Sequence, residues 1–503
     1  MKSNHRFWKW RKATAALLVV GALLGTPCLP SALPTVSAAE TIQAQAVQSP
    51  RWDATVRQGI NDFIAAYGKD SPNYDKNNHP YAVFDFDNTT SILDVGEQLE
   101  VWQLDHLQFA VPPTQMKAVL MTGIPADKLD ATYGADDGEG RQVTIRSVID
   151  DAAKAYASLY KKGLVKPTGS TLSTETQNDP DYLEFRAKMR WLYDAIGDTM
   201  DVSVSYPWST YWYTGMTPQQ VYDMAYQCDA YYGNPLKGQT WTKGKYTSPA
   251  NYPSEAGNVS VGYKVGITVT PEMRELYSAL TRNGIDCYIC SASPIDAIRA
   301  AVSYFKVPGV KDVLAMTNKV DANGRYLNQY DYDLHPQTQG VGKAETLAKI
   351  LVPKYKGHGP SFTAMDSQGD FNFCTEFKDT KEVLVINRTR TDDAALCAGI
   401  AAYQKKHGID LAAANKNGDS LFLIQGRNEN KGEFWNDDKT LLLGKKDASY
   451  LSDKATKAET ELEQGKTIAQ VLKDNTKVNV LPPIEAGASC FNENSATDSK
   501  ELR

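Results

Sequence analysis

The sequence predicts an α/β protein: a doubly wound parallel sheet with a large, mostly helical insertion early in the chain. Three observations carry this. Short unbroken apolar runs at Tyr81–Phe84, 285–290, Phe362–Met365 and 383–386 end abruptly in polar residues, which is the pattern of strands buried on both faces. Between the later runs lie helix patterns with their own start and stop signals. From about residue 91 to 255 that alternation gives way to long helical patterns.

The 503 residues are 42% hydrophobic with a formal charge of -6, enough to bury a sizeable core. A mildly acidic chain lacks the electrostatic footprint for holding a polyanion, so nucleic acid is not an expected partner. Lys2, Arg6, Lys9, Arg11 and Lys12 precede an apolar run at 13–24, and Ser37, Ala38 and Ala39 follow, so residues 1–39 read as an export signal. The alternative is an uncleaved anchor, which the shortness of the run disfavours. Pro27 disfavours a lipid anchor on Cys28. Residues 40–50 suit a flexible leader, 51–90 the first part of the core, 91–255 the helical cap, 256–430 the second part of the core, and 431–503 a C-terminal extension. No later stretch is long enough for a membrane span, so the mature chain is expected to be exported, periplasmic or secreted.

Within this frame the helices announce their ends. Thr144 opens a pattern to Lys162, and Asp179 opens another reaching Ile196. Thr217, Pro218 and Gln220 form a capping-box start. Thr270 and Pro271 begin a stripe of Met273, Leu276, Tyr277 and Leu280 closed by Gly284, and Ser293 with Pro294 repeats the start signal. Export permits disulfides among Cys228, Cys287, Cys290, Cys374, Cys397 and Cys490. Cys287 and Cys290 form a CxxC inside an apolar run, where buried structural thiols are the expectation.

The chemistry begins where the first run ends, at DFDNT, Asp85 to Thr89. Two carboxylates two residues apart, leaving a strand, can both face an opening, one as nucleophile and one as acid and base. A surface loop or an acidic cation-binding turn would read alike. Three further stations follow in order: Ser291 directly after the second run, Lys343 opening a helix in GVGKAETLAKIL, and Asp366 with Asp370 in AMDSQGD. Parallel sheets gather ligands at the carboxyl ends of their strands, where these residues fall.

These four stations resemble the four motifs of the haloacid dehalogenase superfamily, over residues 81 to about 388 and with the insertion in the place of that family's cap. The resemblance implies a phosphate monoester hydrolase. Asp85 would attack phosphorus to form an aspartyl-phosphate. Asp87 would protonate the leaving group and then take a proton from water. Thr89, Ser291 and Lys343 would hold the phosphate. Mg²⁺ would be held by the side chains of Asp85 and Asp366 and the backbone carbonyl of Asp87, with Asp370 standing behind them. Met365 stands where the family often has glycine, a departure that bears on the local backbone path.

The partner implied is a small phosphorylated substrate; oligomeric state is not legible. The aromatic stretch YPWSTYWY at 206–213, the SAS at 291–293, GMTPQQV from Gly215 and LVINR from Leu384 look like bacterial phosphorylcholine phosphatases. Aromatic faces can cage a quaternary ammonium group, with Glu97 as a possible added charge. Core packing is the plainer role for such a cluster. The rival readings are a dehalogenase, against which Asp87 argues, and a phosphonatase, for which no Schiff-base lysine is obvious in the cap. From another class, a non-catalytic ligand-binding envelope protein would not need the full set. None of the six His lies in an RHG-type motif, so a histidine acid phosphatase does not fit.

Overall fold

The computed structural model describes residues 46–124, 133, 143–169, 171–233 and 242–476. The expected export signal, the start of the leader and Cys490 lie outside these. Ten strands matter here: β1 (Tyr81–Phe84), β2 (Thr242–Thr247), β3 (Ser260–Val265), β4 (Asp286–Pro294), β5 (Val310–Met316), β6 (Asn318–Val320), β7 (Tyr326–Tyr330), β8 (Phe362–Met365), β9 (Glu382–Ile386) and β10 (Leu421–Gln425). Six form one sheet in the order β10-β9-β8-β1-β4-β5, and every pairing in it is parallel. The α/β fold with a doubly wound parallel sheet is thus observed.

The strands are apolar on both sides because both sides are covered. Ala82 and Phe84 of β1 pack into one core with residues of helices Ala54–Tyr67 and Pro271–Arg282, whereas Tyr81 and Val83 pack into a second core with residues of helices Val341–Ile350 and Ala394–Lys406. β9 divides in the same way, Leu384 and Ile386 to one side, Val383 and Val385 to the other. The chain leaves β1 toward β4 and β5 and returns to β8 on its other flank. Strand order therefore reverses at β1, the place where such sheets open a crevice at their carboxyl edge.

The insertion is mostly helical, as read from the sequence. Its helices include Val95–His106, Ile145–Lys161, Pro180–Thr199, Val202–Thr210 and Pro218–Tyr232. Thr144 and Thr217 form capping boxes, the latter with Gln220, and Asp179 accepts from the Asp181 N–H. An antiparallel hairpin pairs β2, at the end of the insertion, with β3, just past residue 255, which helical periodicity could not foretell. Thr270 caps its helix as expected, accepting from the Met273 N–H. Past residue 430, where sequence signals fade, helices Asp453–Glu463 and Ile468–Asn475 bury Leu462 and Val471 in the core that holds Ile400. Cys228, Cys287, Cys290, Cys374 and Cys397 are buried free thiols. No described helix is long and apolar enough to cross a membrane.

Candidate active site

Asp85 leaves the end of β1 into a tight turn that Asn88 makes possible with φ of +62°, a left-handed conformation that asparagine tolerates better than most residues. Lys343 meets Asp85 from another element: its Nζ lies 2.6 Å from Asp85 Oδ1 and 2.6 Å from Asp370 Oδ1. The helix bearing Lys343 starts after Gly340, whose φ is +55°. At Gly342 a Cβ would fall 1.9 Å from the Gln337 carbonyl, so the GVGK string is a steric requirement for delivering the lysine.

From β8 comes Asp366, whose Oδ1 accepts from Thr89 Oγ1 at 3.2 Å and whose Oδ2 accepts from Arg388 at 3.1 Å. Met365 packs into the core and Asp366 still reaches the cleft, so the missing glycine leaves the strand end intact. Carboxylate oxygens of Asp85, Asp366 and Asp370 all lie within 4.8 Å of one another. Asp370, expected behind the ligands, stands abreast of them. Its Oδ2 accepts from the Asp366 and Ser367 N–H groups at 3.3 and 3.2 Å.

Asp87 points to a separate set of donors. Its Oδ1 accepts from the Val95 N–H at the start of a cap helix (2.7 Å), and its Oδ2 from Ser293 Oγ (2.6 Å) and Ser291 Oγ (3.2 Å). Ser293 was expected to cap the following helix. The structure corrects this: Ile295–Tyr304 has Pro294 at its cap with no side-chain bond, because β4 runs on through 291–293 and turns both serines toward Asp87. Thr89 and Ser291, the expected phosphate ligands, thus face the site with their hydroxyls on carboxylates.

The charge balance is tense. Burial, then Asp370, pushes Asp85 well above the usual carboxylate range while Lys343 pulls it down. Burial, then Asp94 and Asp85, also raises Asp87 well above that range. Burial alone would lower Lys343, but Asp370 and Asp85 raise it well above its ordinary value. Three buried carboxylates face two cations, Lys343 and Arg388. All-oxygen, net-negative donors in this number fit a hard divalent cation such as Mg²⁺.

Three participants escaped the sequence reading: Arg388, Arg427 and Glu429. Arg427 is fully buried and donates to the carbonyls of Asn88 and Ser91 at 2.5 and 3.4 Å and to Asn88 Oδ1 at 3.2 Å. Glu429 accepts from Arg427 at 2.7 Å and sits 3.3 Å from Arg388 Nε. Burial would raise the Glu429 carboxyl, but Arg427 and Arg388 hold it down at about 2. Arg388 closes the LVINR string, which could have flagged it.

A cleft of about 520 Å³ opens above these residues. Its cap wall includes Asp94, Glu97, Glu100, Asp194 and Asp198, with Tyr193, Tyr206 and Tyr213. For the tryptophans of the aromatic stretch the plainer role, core packing, is the one observed. Trp208 and Trp212 are core residues, about 1% exposed, and Trp208 donates to the Leu120 carbonyl at 2.7 Å. No described tryptophan lines the cleft. Tyr206, Ser209 and Tyr213, at helical spacing, face the cleft while Trp208 and Trp212 face the core, so the stretch supplies both a core and a lining. Glu97 does line the cleft.

A parallel sheet wound about a central strand, with a paired-carboxylate turn, a helix-borne lysine and a second acidic turn meeting at its carboxyl edge, is the arrangement that the motif resemblance implies. The chain belongs to one family with a conserved, functionally unknown protein from Anaerococcus prevotii DSM 20548. The two are 30% identical with a TM-score of 0.66, over 79% of this chain and 98% of that one. More distantly similar are cytosolic 5'-nucleotidase IIIB bound to cytidine (12% identity, TM-score 0.31, 66% of this chain and 78% of that one) and a phosphoserine phosphohydrolase-like protein from Francisella tularensis subsp. tularensis SCHU S4 (13%, 0.26, 61% and 87%). No protein-family model and no curated protein matches the chain.

Proposed function

We propose that the protein is an exported, Mg²⁺-dependent phosphate monoester hydrolase with Asp85 as nucleophile. The observation that carries this is the meeting of Asp85, Lys343, Asp366 and Asp370, delivered by separate elements, within hydrogen-bond or ligand distance of one another. Asp85 and Asp366 would hold the cation together with the Asp87 carbonyl, and Asp370 joins or supports them. Bound there, Mg²⁺ supplies the positive charge that lets a dianionic phosphate approach buried carboxylates.

The rest of the chemistry belongs to the side chains. Asp85 forms a bond to phosphorus as the ester oxygen departs, and Asp87, kept protonated by burial and by its anionic neighbours, gives that oxygen its proton. The Asp87 carboxylate then takes a proton from a water molecule, whose oxygen attacks phosphorus. The Asp85–phosphorus bond breaks, releasing phosphate. Lys343 stabilises charge on the equatorial oxygens, and Thr89 and Ser291 turn to donate to them.

For the leaving group, the cap wall supports a cation: carboxylates interleaved with tyrosine faces suit a quaternary ammonium group, and phosphorylcholine fits that description. The mature enzyme is expected to hydrolyse an aryl phosphate with added Mg²⁺ and to lose this with EDTA or in Asp85→Asn. Undiminished turnover in either case rejects the mechanism. A panel of monoesters tests the leaving group: phosphorylcholine no better than glycerol phosphate would end the cationic reading.

One observation favours a second reading. Lys264 of β3 lines the cleft, so a phosphonatase would have an amine available for a Schiff base. Borohydride trapping of an aldehyde-bearing phosphonate on Lys264 would support it.

A further inference from the structure

The region beyond β9 reaches into the site through one carboxylate. Glu429 is buried, and its Oε1 lies 2.7 Å from Arg427 and 3.3 Å from Arg388, while its Oε2 accepts from the Leu443 N–H at 2.8 Å. Each arginine then acts on a different half of the candidate metal site. Arg427 donates to the carbonyls of Asn88 and Ser91, which bracket the left-handed turn just past Asp87. Arg388 donates to Asp366 Oδ2 at 3.1 Å, opposite the oxygen that takes the Thr89 hydroxyl.

We infer that Glu429 is a positioning residue: by fixing Arg427 and Arg388 together, it sets the turn that presents Asp85 and the Asp87 carbonyl and the orientation of Asp366 as one unit. This rests on the reading of the site as a divalent-cation phosphatase. The physical reason is geometric. A hard cation needs several oxygens at near-fixed spacing, and those oxygens come from a turn after β1 and a turn after β8, which no direct backbone bond ties beyond the strand ends. Arg427, fully buried, donates to Glu429 Oε1 from both Nε and Nη2 and to the turn carbonyls from Nη1, so its planar fork transmits position where a lysine would not, while Arg388 answers the same carboxylate as an ion pair. Asp366, pinned through both oxygens, has its carboxylate plane set before a cation arrives. Partners of metal ligands are commonly worth about 10–100-fold in metal affinity or activity.

The test is Mg²⁺ binding by titration calorimetry on the full mature chain, alongside kcat and KM for an aryl phosphate. Glu429→Gln is expected to weaken Mg²⁺ binding about 10-fold or more and to lower kcat, with partial recovery of kcat at high Mg²⁺. Glu429→Gln leaves Arg427 buried without its counter-charge and can cost folding, so Arg388→Gln, on a partly exposed guanidinium, is measured beside it. It is expected to weaken Mg²⁺ binding with little change in melting temperature. A folded variant at either position with wild-type Mg²⁺ affinity and wild-type kcat overturns the inference, as does a fall in melting temperature without a fall in Mg²⁺ affinity. If the wild type binds Mg²⁺ but turns over no phosphate monoester, the phosphatase reading fails. The calorimetric comparison then still decides the role of Glu429.

Discussion

The two walls of the cleft are built on opposite rules. On the sheet side every acid is held by a donor at short range: Asp85 and Asp370 by Lys343, Asp366 by Arg388 and Thr89, Asp87 by two serines and a backbone N–H. On the cap side, acids crowd one another. Asp94 is raised to about 6 by burial and then by Glu97. Burial raises Glu100 well above its ordinary range; Arg190 opposes this and Glu97 and Asp94 add to it. Arg190 is shared between two of these acids, 3.5 Å from Glu100 Oε2 and 3.0 Å from Asp194 Oδ1. A wall whose acids are each held by donors fixes a geometry; on the proposed reading, the acidic wall is where a cationic leaving group would sit.

Breaking the sheet wall should cost most. Asp87→Asn keeps the shape and the Val95 and serine contacts but removes the proton, and kcat should fall about 10²–10⁴-fold with a much smaller change in KM. Steady-state assays with an activated aryl ester, which needs less protonation, should show the smaller loss.

On the cap wall the effect should be selective. Glu97→Gln is expected to raise KM for a cationic monoester about tenfold, the equivalent of ~1.4 kcal/mol, and to leave KM for an aryl phosphate unchanged. The same contrast should appear with pH. Asp94 is anionic above about 6, so KM for the cationic substrate should rise as pH falls through that value, whereas KM for a neutral leaving group should not follow it. Parallel pH profiles for the two substrates would dissolve the distinction between the walls.

How legible this was depended on chain distance. Strands buried on both faces are written as local apolar runs, and caps such as Thr144, Thr217 and Thr270 as local strings, so the core and most helix starts could be read. β5 could not, because residues 310–312 are partly or fully exposed. β10 carries the run Leu421 to Ile424, yet lies beyond the last motif, with no chemical signature at its end to mark it. The site residues at strand ends were legible because backbone direction alone aims them. Arg427 and Glu429 were not, since a buried ion pair some 340 positions from Asn88 leaves no local pattern. The aromatic stretch divides for a related reason: helical phase, not composition, sends Trp208 inward and Tyr206 to the cleft.

The smallest effect should lie away from both walls. Glu382, at the start of β9, is buried with both carboxylate oxygens unpartnered; burial, then Asp62, raises it well above its ordinary value. The folded state holds its proton where the unfolded state has released it, so stability is full below the unfolded pKa of about 4.3 and declines as pH rises toward the folded value. Glu382→Gln removes that decline. Its melting temperature relative to wild type should increase between pH 4 and neutrality, without change in kcat.

The nucleophile itself can be caught. Acid quench during turnover of a good substrate with Mg²⁺, followed by peptide mapping, should place a phosphoryl group on Asp85, and none when Mg²⁺ is chelated or Asp85 is replaced by Asn. Turnover that proceeds with no phosphorylated Asp85, and that survives Asp85→Asn, would contradict a covalent phosphatase built on this strand end.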